Sequence, residues 1–457
     1  MALLPSLVKG MRDYSTLQVY RRNYMLSIIQ SIYASYGFEP LETPALENRT
    51  TLTGKYGQEG EQLMFNVLKS GNFLEAATSP TNATDYKKLK PLISDKGLRY
   101  DLTVPLMRHI AMGQHQICFP FRRYQIQPVW RADRPQRGRY REFLQCDADI
   151  VGSNALLCEA EMLKLIYDIC TKLQLRDFRI KINHRGILSA IAEPEKEKTF
   201  CTIVDKLEKI GFEKVITALQ AADFNSQTIA SLALLQKFKG NNSELLTQLQ
   251  ATIGHTDSGS KAIEALTTIL TQADGLGLPN GTCCIEPTLA RGLAYYTGLV
   301  MELTVENTSI GSLGGGGRYE NLGDLFGATG LAGVGFSFGI DRLYDLMEEQ
   351  NLFNPVTTYT TDVLLTNIEA KAERQLLHLL SQLRLHGFKT EIYPERAKIK
   401  KQLSYAHKKN IPFVIILGET EYAMNHYTLK NMQTGVQSSY SWSELFDLLS
   451  TALGVRC

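Results

Sequence analysis

Five arginines crowd into positions 131–141, and the segments on either side both read as β-strand. Ile126–Arg131 leads in, Phe143–Asp149 leads out with its side chains alternating between faces, and Pro135 and Gly138 are turn formers between them. Two antiparallel strands joined by a long basic loop is the arrangement this order favours. A solvated basic loop would be the plain explanation for the arginines. Their positions argue otherwise. Arg131 and Asp133 lie at the end of one strand, and Arg139 and Arg141 lie just before the next. Guanidinium groups at both mouths of a hairpin suit a polyphosphate, because each fork can hold two phosphate oxygens.

The returning strand carries a second signal. Gln145 and Asp149 are four residues apart, so the two-residue period of a strand puts both on one face. Polar groups on an otherwise apolar sheet usually bond a ligand or each other. Two further segments are weaker. In Leu289–Glu302, Tyr295 and Tyr296 are adjacent and would point to opposite faces if both were in a strand, so at most one need touch a ligand. The run Gly314–Gly317 before Arg318 and Tyr319 is either a flexible turn or a place where backbone approaches a ligand closely. It lacks the endings of a P-loop or a dinucleotide fingerprint.

The rest of the chain supplies a frame. Tyr20, Tyr24, Ile28, Ile29 and Ile32 recur at helical spacing, predicting a helix from Thr16 to Tyr36 that Gly37 ends. Pro40 and Pro44 keep the next segment extended. Residues 154–172 read as an amphipathic helix, and roughly 178–275 is dominated by helical patterns broken near 224–226 and 240–243. Strand-like runs return at Thr282–Glu286 and Tyr296–Val305, and Gly333–Leu343 reads as a strand feeding a helix. Beyond a linker at Asn354–Thr361 the order changes. Strand 362–366, helix 370–386, strand 388–393, helix 397–409 and strands 411–417 and 426–432 predict a small α/β domain. The expected division is a domain at 1–355, with a helical insertion at approximately 185–275, and a second domain at 356–457.

Bulk properties exclude some alternatives. A chain of 457 residues with 44% hydrophobic and 21% charged residues can bury a large core and suggests two to four domains. No apolar run reaches the ~18 residues of a membrane span, and Met1–Ser6 lacks the basic start of a secretory signal. A cytoplasmic protein is the expectation. A net charge of +2 means that any nucleic acid must be held by local basic surfaces. The eight cysteines form no CxxC pair and the eight histidines show no ligand spacing beside them, so reduced core thiols are expected and no metal site.

Together these segments resemble the class II aminoacyl-tRNA synthetases and, within them, the histidine-specific branch. Phe38–Glu47 is similar to motif 1, residues 130–149 to motif 2, and residues 333–343, ending in Arg342 and Leu343, to motif 3. Arg291–Tyr296 and Gly315–Tyr319 are similar to segments of the histidine branch, as are Lys9–Asp13, Arg99–Pro105 and the C-terminal Tyr393–Gly418. The resemblance covers nearly the whole chain. It implies an α+β fold: an antiparallel-sheet catalytic domain with a helical insertion, then an α/β anticodon-binding domain. It also implies a homodimer, with ATP, L-histidine and histidine tRNA as substrates and Mg²⁺ carried by ATP.

Residue roles are implied in the same way. Arg131 and Arg291 would be catalytic and would contact histidine at the α-phosphate. Asp101, Thr103 and Gln145 would hold the α-ammonium. Asp149 and Tyr296 would read the imidazole, with Tyr295 alongside. Asp133, Arg139, Arg131 and Arg342 would bind ATP. Gln136 would face the acceptor end of tRNA, and Lys400 and Lys401 lie in a basic stretch suited to the anticodon stem. Three departures stand out: Ala294 where the family commonly has an acidic residue, Asp133 for a usual Glu, and Asp101-Leu-Thr103 for a Glu-Gly-Thr form. A regulatory paralogue, a non-catalytic RNA-binding module and a synthetase for another amino acid are the competing readings. The first two would be expected to lose members of the set Arg131, Arg291 and Arg342, and the third lacks the Arg291–Tyr296 segment.

Overall fold

In chain order the first strands are β1 (Glu39–Pro40), β2 (Leu46–Asn48), β3 (Asn66–Val67), β4 (Lys96–Leu98), β5 (Phe121–Trp130), β6 (Glu142–Val151) and β7 (Phe178–His184). After a helical stretch come β8 (Cys283–Ile285), β9 (Tyr296–Val305), β10 (Gly314–Tyr319) and β11 (Gly333–Gly339). The computed structural model describes residues 4–53, 62–74, 86–290, 295–306, 308–353 and 361–454. It divides into two compact units, Met1–Asn354 and Pro355–Cys457.

The first unit is built on an eight-stranded sheet ordered β1-β5-β6-β11-β10-β9-β7-β8, antiparallel from β5 to β7 with parallel pairs at both ends. The basic hairpin is β5 and β6, with Trp130 paired to Glu142 at the mouth of the loop. β5 starts at Phe121, before the expected Ile126, and Arg131 lies just beyond its end. The early start brings Arg123 into the sheet opposite Asp149. One face of the sheet packs Cys146, Ala148, Ile150, Val334, Phe336 and Phe338 against Met25 and Ile29 of the helix Thr16–Ser35 and Ile166 and Ile169 of the helix Leu157–Lys172. Each large apolar side chain buried this way contributes ~1.5–3 kcal/mol.

The glycine run is no turn. Gly314–Tyr319 is β10, paired on both sides. Its neighbours come too close for side chains: a Cβ on Gly316 would lie 2.1 Å from the Gly335 carbonyl oxygen, and one on Gly314 would lie 2.7 Å from the Phe336 ring. Tight packing, not a left-handed conformation, selects glycine at these positions.

Residues 178–184 are the strand β7, and helices follow from Arg185 to Gly275. The polar breaks are helix caps. Asn225 accepts from the Thr228 N–H at 2.8 Å, and Asn241 and Glu244 form a reciprocal capping box. A helix at Thr103–Gly113 was not evident in the sequence; its Pro105 sits in the first turn, where no intrahelical N–H is needed.

In the second unit β12 (Val363–Leu365), β13 (Thr390–Ile392), β14 (Phe413–Ile416), β15 (Tyr427–Asn431) and β16 (Gln437–Tyr440) form a sheet ordered β13-β12-β14-β15-β16. The first three strands are parallel and the last two antiparallel. Val363, Leu365 and Ile415 of the sheet pack on Leu376, Leu379 and Leu383 of the helix Glu373–Leu385 and Leu445 and Leu449 of the helix Trp442–Leu453. That closing helix and β16 lie beyond the elements expected from sequence. The fold is the α+β arrangement expected: an antiparallel sheet with a helical stretch, then an α/β unit. No helix among the described residues is long and apolar enough to cross a membrane.

Candidate active site

The face of the large sheet opposite its apolar core is polar. On β6, Gln145, Asp147 and Asp149 share that face, all buried. Across the sheet, Asp149 pairs with Arg123 of β5 and Gly335 of β11, and Asp147 pairs with Gln125 and Ser337. A narrow cleft opens here, lined by Thr103, Asp147, Asp149, Tyr296, Gly315, Tyr319, Gly335, Phe336 and Ser337. Glycine matters on its wall: a Cβ on Gly335 would fall 2.0 Å from Asp149 Oδ1.

Asp149 is held by two donors. Arg123 Nη2 lies 2.9 Å from Oδ2, and the Tyr319 hydroxyl donates to Oδ1 at 2.8 Å. Burial pushes this carboxyl above the usual range, and Arg123 and Tyr319 oppose that push. Tyr319 is itself held well above an ordinary phenol by burial and the Asp149 charge, so it stays a donor. Asp147 has no such pair. Burial first, with Asp149 and Asp101 adding negative charge, lifts it to about 7 against the partial relief of Arg123 and a hydrogen bond from Ser337.

The other anticipated residues surround this centre. Asp101 Oδ1 accepts the Val104 N–H at 3.1 Å, and Oδ2 accepts the Tyr295 hydroxyl at 3.4 Å. Gln145 donates from Nε2 to the Ser337 hydroxyl at 2.7 Å. The two tyrosine rings lie 5.0 Å apart. Tyr295 precedes β9, which starts at Tyr296 as read from the sequence, so the opposite-face rule for adjacent strand residues does not apply to the pair. Arg131 stacks on the rings of Tyr100 and Phe143, with its carbon centre 4.3 and 5.2 Å from the centroids, and its Nε donates to the Tyr100 carbonyl at 2.9 Å. Such stacking holds a guanidinium plane in one orientation.

In the basic loop Arg139 lies 3.9 Å from Asp133, and Gln136 is exposed beside it. Arg342, on the helix after β11, donates to the carbonyls of Gly138 at 2.7 Å and Ser312 at 2.6 Å, fastening the loop tip to the sheet. Arg291 and Ala294 lie outside the described residues. Lys400 and Lys401 are exposed on the helix Ile399–Lys408 of the second unit, and Lys401 pairs with Glu395 at 3.2 Å.

Sequence reasoning passed over Asp147, Arg123 and the partnership of Tyr319 with Asp149. The signal for Asp147 was present, since it lies midway between Gln145 and Asp149 on the same strand face. Arg122-Arg123 offered a second one. Arg122 turns outward to Glu161 at 2.7 Å, and Arg123 turns inward.

Comparison with known proteins agrees with this architecture. A family model described as histidyl-tRNA synthetase matches residues 70–343, and one described as anticodon binding domain matches residues 362–451. A histidine–tRNA ligase of Cytophaga hutchinsonii is 46% identical over 96% of this chain and 98% of its own length. One from Porphyromonas gingivalis is 44% identical over 95% and 96%. The crystal structure of a histidyl-tRNA synthetase from Nostoc superposes with a TM-score of 0.79 at 29% identity, covering 99% of this chain and 100% of that one. On its sheet, its cleft and these full-length likenesses, the chain belongs to the histidyl-tRNA synthetase family.

Proposed function

We propose that the cleft on the polar face of β6 and β11 is where L-histidine is activated. The chain is a histidine–tRNA ligase by its family: it joins histidine to tRNA at the expense of ATP. The residue roles are inferred. The observation that carries them is the convergence of Thr103, Asp149 and Tyr296, from three separate segments, on one cleft.

In the proposed mechanism the histidine carboxylate attacks the α-phosphorus of ATP. A carboxyl–phosphate bond forms and pyrophosphate leaves. A terminal ribose hydroxyl of tRNA then attacks the activated carbonyl, and AMP leaves. Arg131, pre-oriented by Tyr100 and Phe143, holds the α-phosphate and carboxylate. Arg291 stabilises the charge that develops there. Asp101, Thr103 and Gln145 hold the ammonium. Asp149 accepts from one imidazole nitrogen and Tyr296 donates to the other, which specifies both edges of a neutral ring. A pocket that hydrogen-bonds its substrate in this way rejects analogues lacking those groups by roughly 10⁴–10⁵. Asp133, Arg139 and Arg342 hold the remaining phosphates, and Mg²⁺ arriving with ATP would neutralise their charge.

The tRNA is engaged at two places: Gln136 at the acceptor end, and Lys400 and Lys401 along the anticodon stem. Lys398 and Lys408 are exposed on the same stretch and strengthen that assignment. We also infer a homodimer working in the cytoplasm; a single-subunit mass in light scattering would exclude the dimer.

Pyrophosphate exchange measured with each amino acid in turn tests the central reading. Exchange should require histidine and be lost in Arg131→Ala and Arg291→Ala. Exchange with a different amino acid, or none with folded protein that binds ATP, would overturn it.

A further inference from the structure

Two acceptor oxygens in the cleft are buried without a hydrogen-bond partner: Gln145 Oε1 and Asp147 Oδ1. They belong to alternate residues of β6, so they share a face, and both residues flank Ser337 of β11. A buried carboxylate oxygen left unpaired is costly unless a ligand completes it. The charges point the same way. Among the described residues, Asp147 feels the carboxylates of Asp101 and Asp149 and the guanidinium of Arg123, and that guanidinium is bonded to Asp149. Its described strand neighbours are neutral: Gln125 on β5, Gln145 on its own strand, and Ser337 on β11, whose hydroxyl bonds the Asp147 carboxyl. Burial is the main cause that holds the Asp147 carboxyl near 7, the Asp149 and Asp101 charges add to it, and Arg123 and the Ser337 hydroxyl relieve it only in part.

A group that offers only donors and brings a positive charge would satisfy both orphans. Histidine has one such group, its α-ammonium, with three N–H bonds. The neutral imidazole offers a single N–H. We propose that Asp147 is a specificity-determining residue whose Oδ1, together with Gln145 Oε1, receives the α-ammonium of histidine. The proposal rests on reading this cleft as the histidine pocket. It adds a second carboxylate beside that of Asp101, whose oxygens also hold the Val104 N–H and the Tyr295 hydroxyl.

The test uses the full-length enzyme and two ligands, histidine and its deamino analogue imidazolepropionate. Asp147→Asn keeps the shape and removes the charge. It should raise the KM for histidine in pyrophosphate exchange on the order of ten- to a hundredfold. The KM for ATP and the inhibition constant of imidazolepropionate should stay within about twofold of wild type, since neither ligand carries the ammonium. Asp149→Asn, which acts on the ring, should weaken both histidine and imidazolepropionate. If Asp147→Asn weakens the two ligands equally, or raises the KM for ATP as well, Asp147 is not an ammonium contact and the proposal fails. If only Asp149→Asn affects histidine, the proposal fails and the pocket reading stands. If neither variant changes the KM for histidine, the pocket reading itself falls.

Discussion

The two faces of β6 and β11 are made from alternate residues of the same strands, yet they follow opposite rules. On one face Cys146, Ala148, Ile150, Val334, Phe336 and Phe338 fill space, and their identity matters mainly through volume. On the other, Gln145, Asp147 and Asp149 are buried polar residues beside the partly exposed Ser337, and Gly335 leaves room beside them. The apolar face releases free energy on folding. The polar face gives part of it back, because Asp147 is buried with its Oδ1 unpaired. The difference separates residues that hold the sheet together from residues that the sheet holds ready.

Three measurements would sharpen or break this contrast. The largest effect should come from relieving Asp147. Its carboxyl lies at about 7 in the folded chain against an ordinary 3.8, so the folded state binds the proton more tightly than the unfolded one. Stability must then fall as pH rises from about 4 to about 7, and the penalty is full above 7. Asp147→Asn removes that penalty. It should stabilise the protein by at most about 4 kcal/mol at pH 8, with the gain shrinking toward pH 4. Thermal melts across that range that show a constant difference would contradict the buried charge.

Gly335→Ala comes next. The added methyl meets Asp149 Oδ1, and displacing that carboxylate should lower kcat/KM for histidine by about 10²-fold. Wild-type kinetics in this variant would mean that Asp149 does not need its position. The smallest change belongs to the apolar face. Phe338→Leu should cost about 1–3 kcal/mol in urea unfolding and leave the KM for histidine within about twofold. A large shift in that KM would show that the two faces are not separable.

Much of this was legible in the sequence, and the failures have physical causes. The hairpin was visible because an arginine-rich segment with Pro135 and Gly138 interrupts two strand patterns. Gln145 and Asp149 were visible because a period of two is hard to mistake. Arg123 was not, because Phe121–Gln125 mixes arginines with aromatics and does not alternate cleanly, so the strand was read as starting at Ile126. The glycines of β10 were ambiguous because glycine permits both turns and tight packing, and only the neighbouring strands decide. The strand boundary at Tyr296 was read correctly, and Tyr295 lies just before it, so strand alternation does not govern the pair. Asp147 was passed over because its environment, not its spacing, makes it unusual: its burial and its unpaired Oδ1 depend on atoms supplied by other strands.

The strand order has a consequence for how the chain is made. β6 pairs with β11, so Val151 must find Gly333 after the entire helical stretch has intervened. Such contacts between distant segments form slowly, whereas the capped helices between Arg185 and Gly275 are local and can form as soon as they are synthesised. A chain emerging from the ribosome thus carries β5 and β6 with an open edge until β11 arrives, and an unpaired edge invites association with other chains. The helical stretch lengthens that interval. During synthesis, the pairing of β6 with β11 that forms the cleft wall is protected only after the helical stretch has been made.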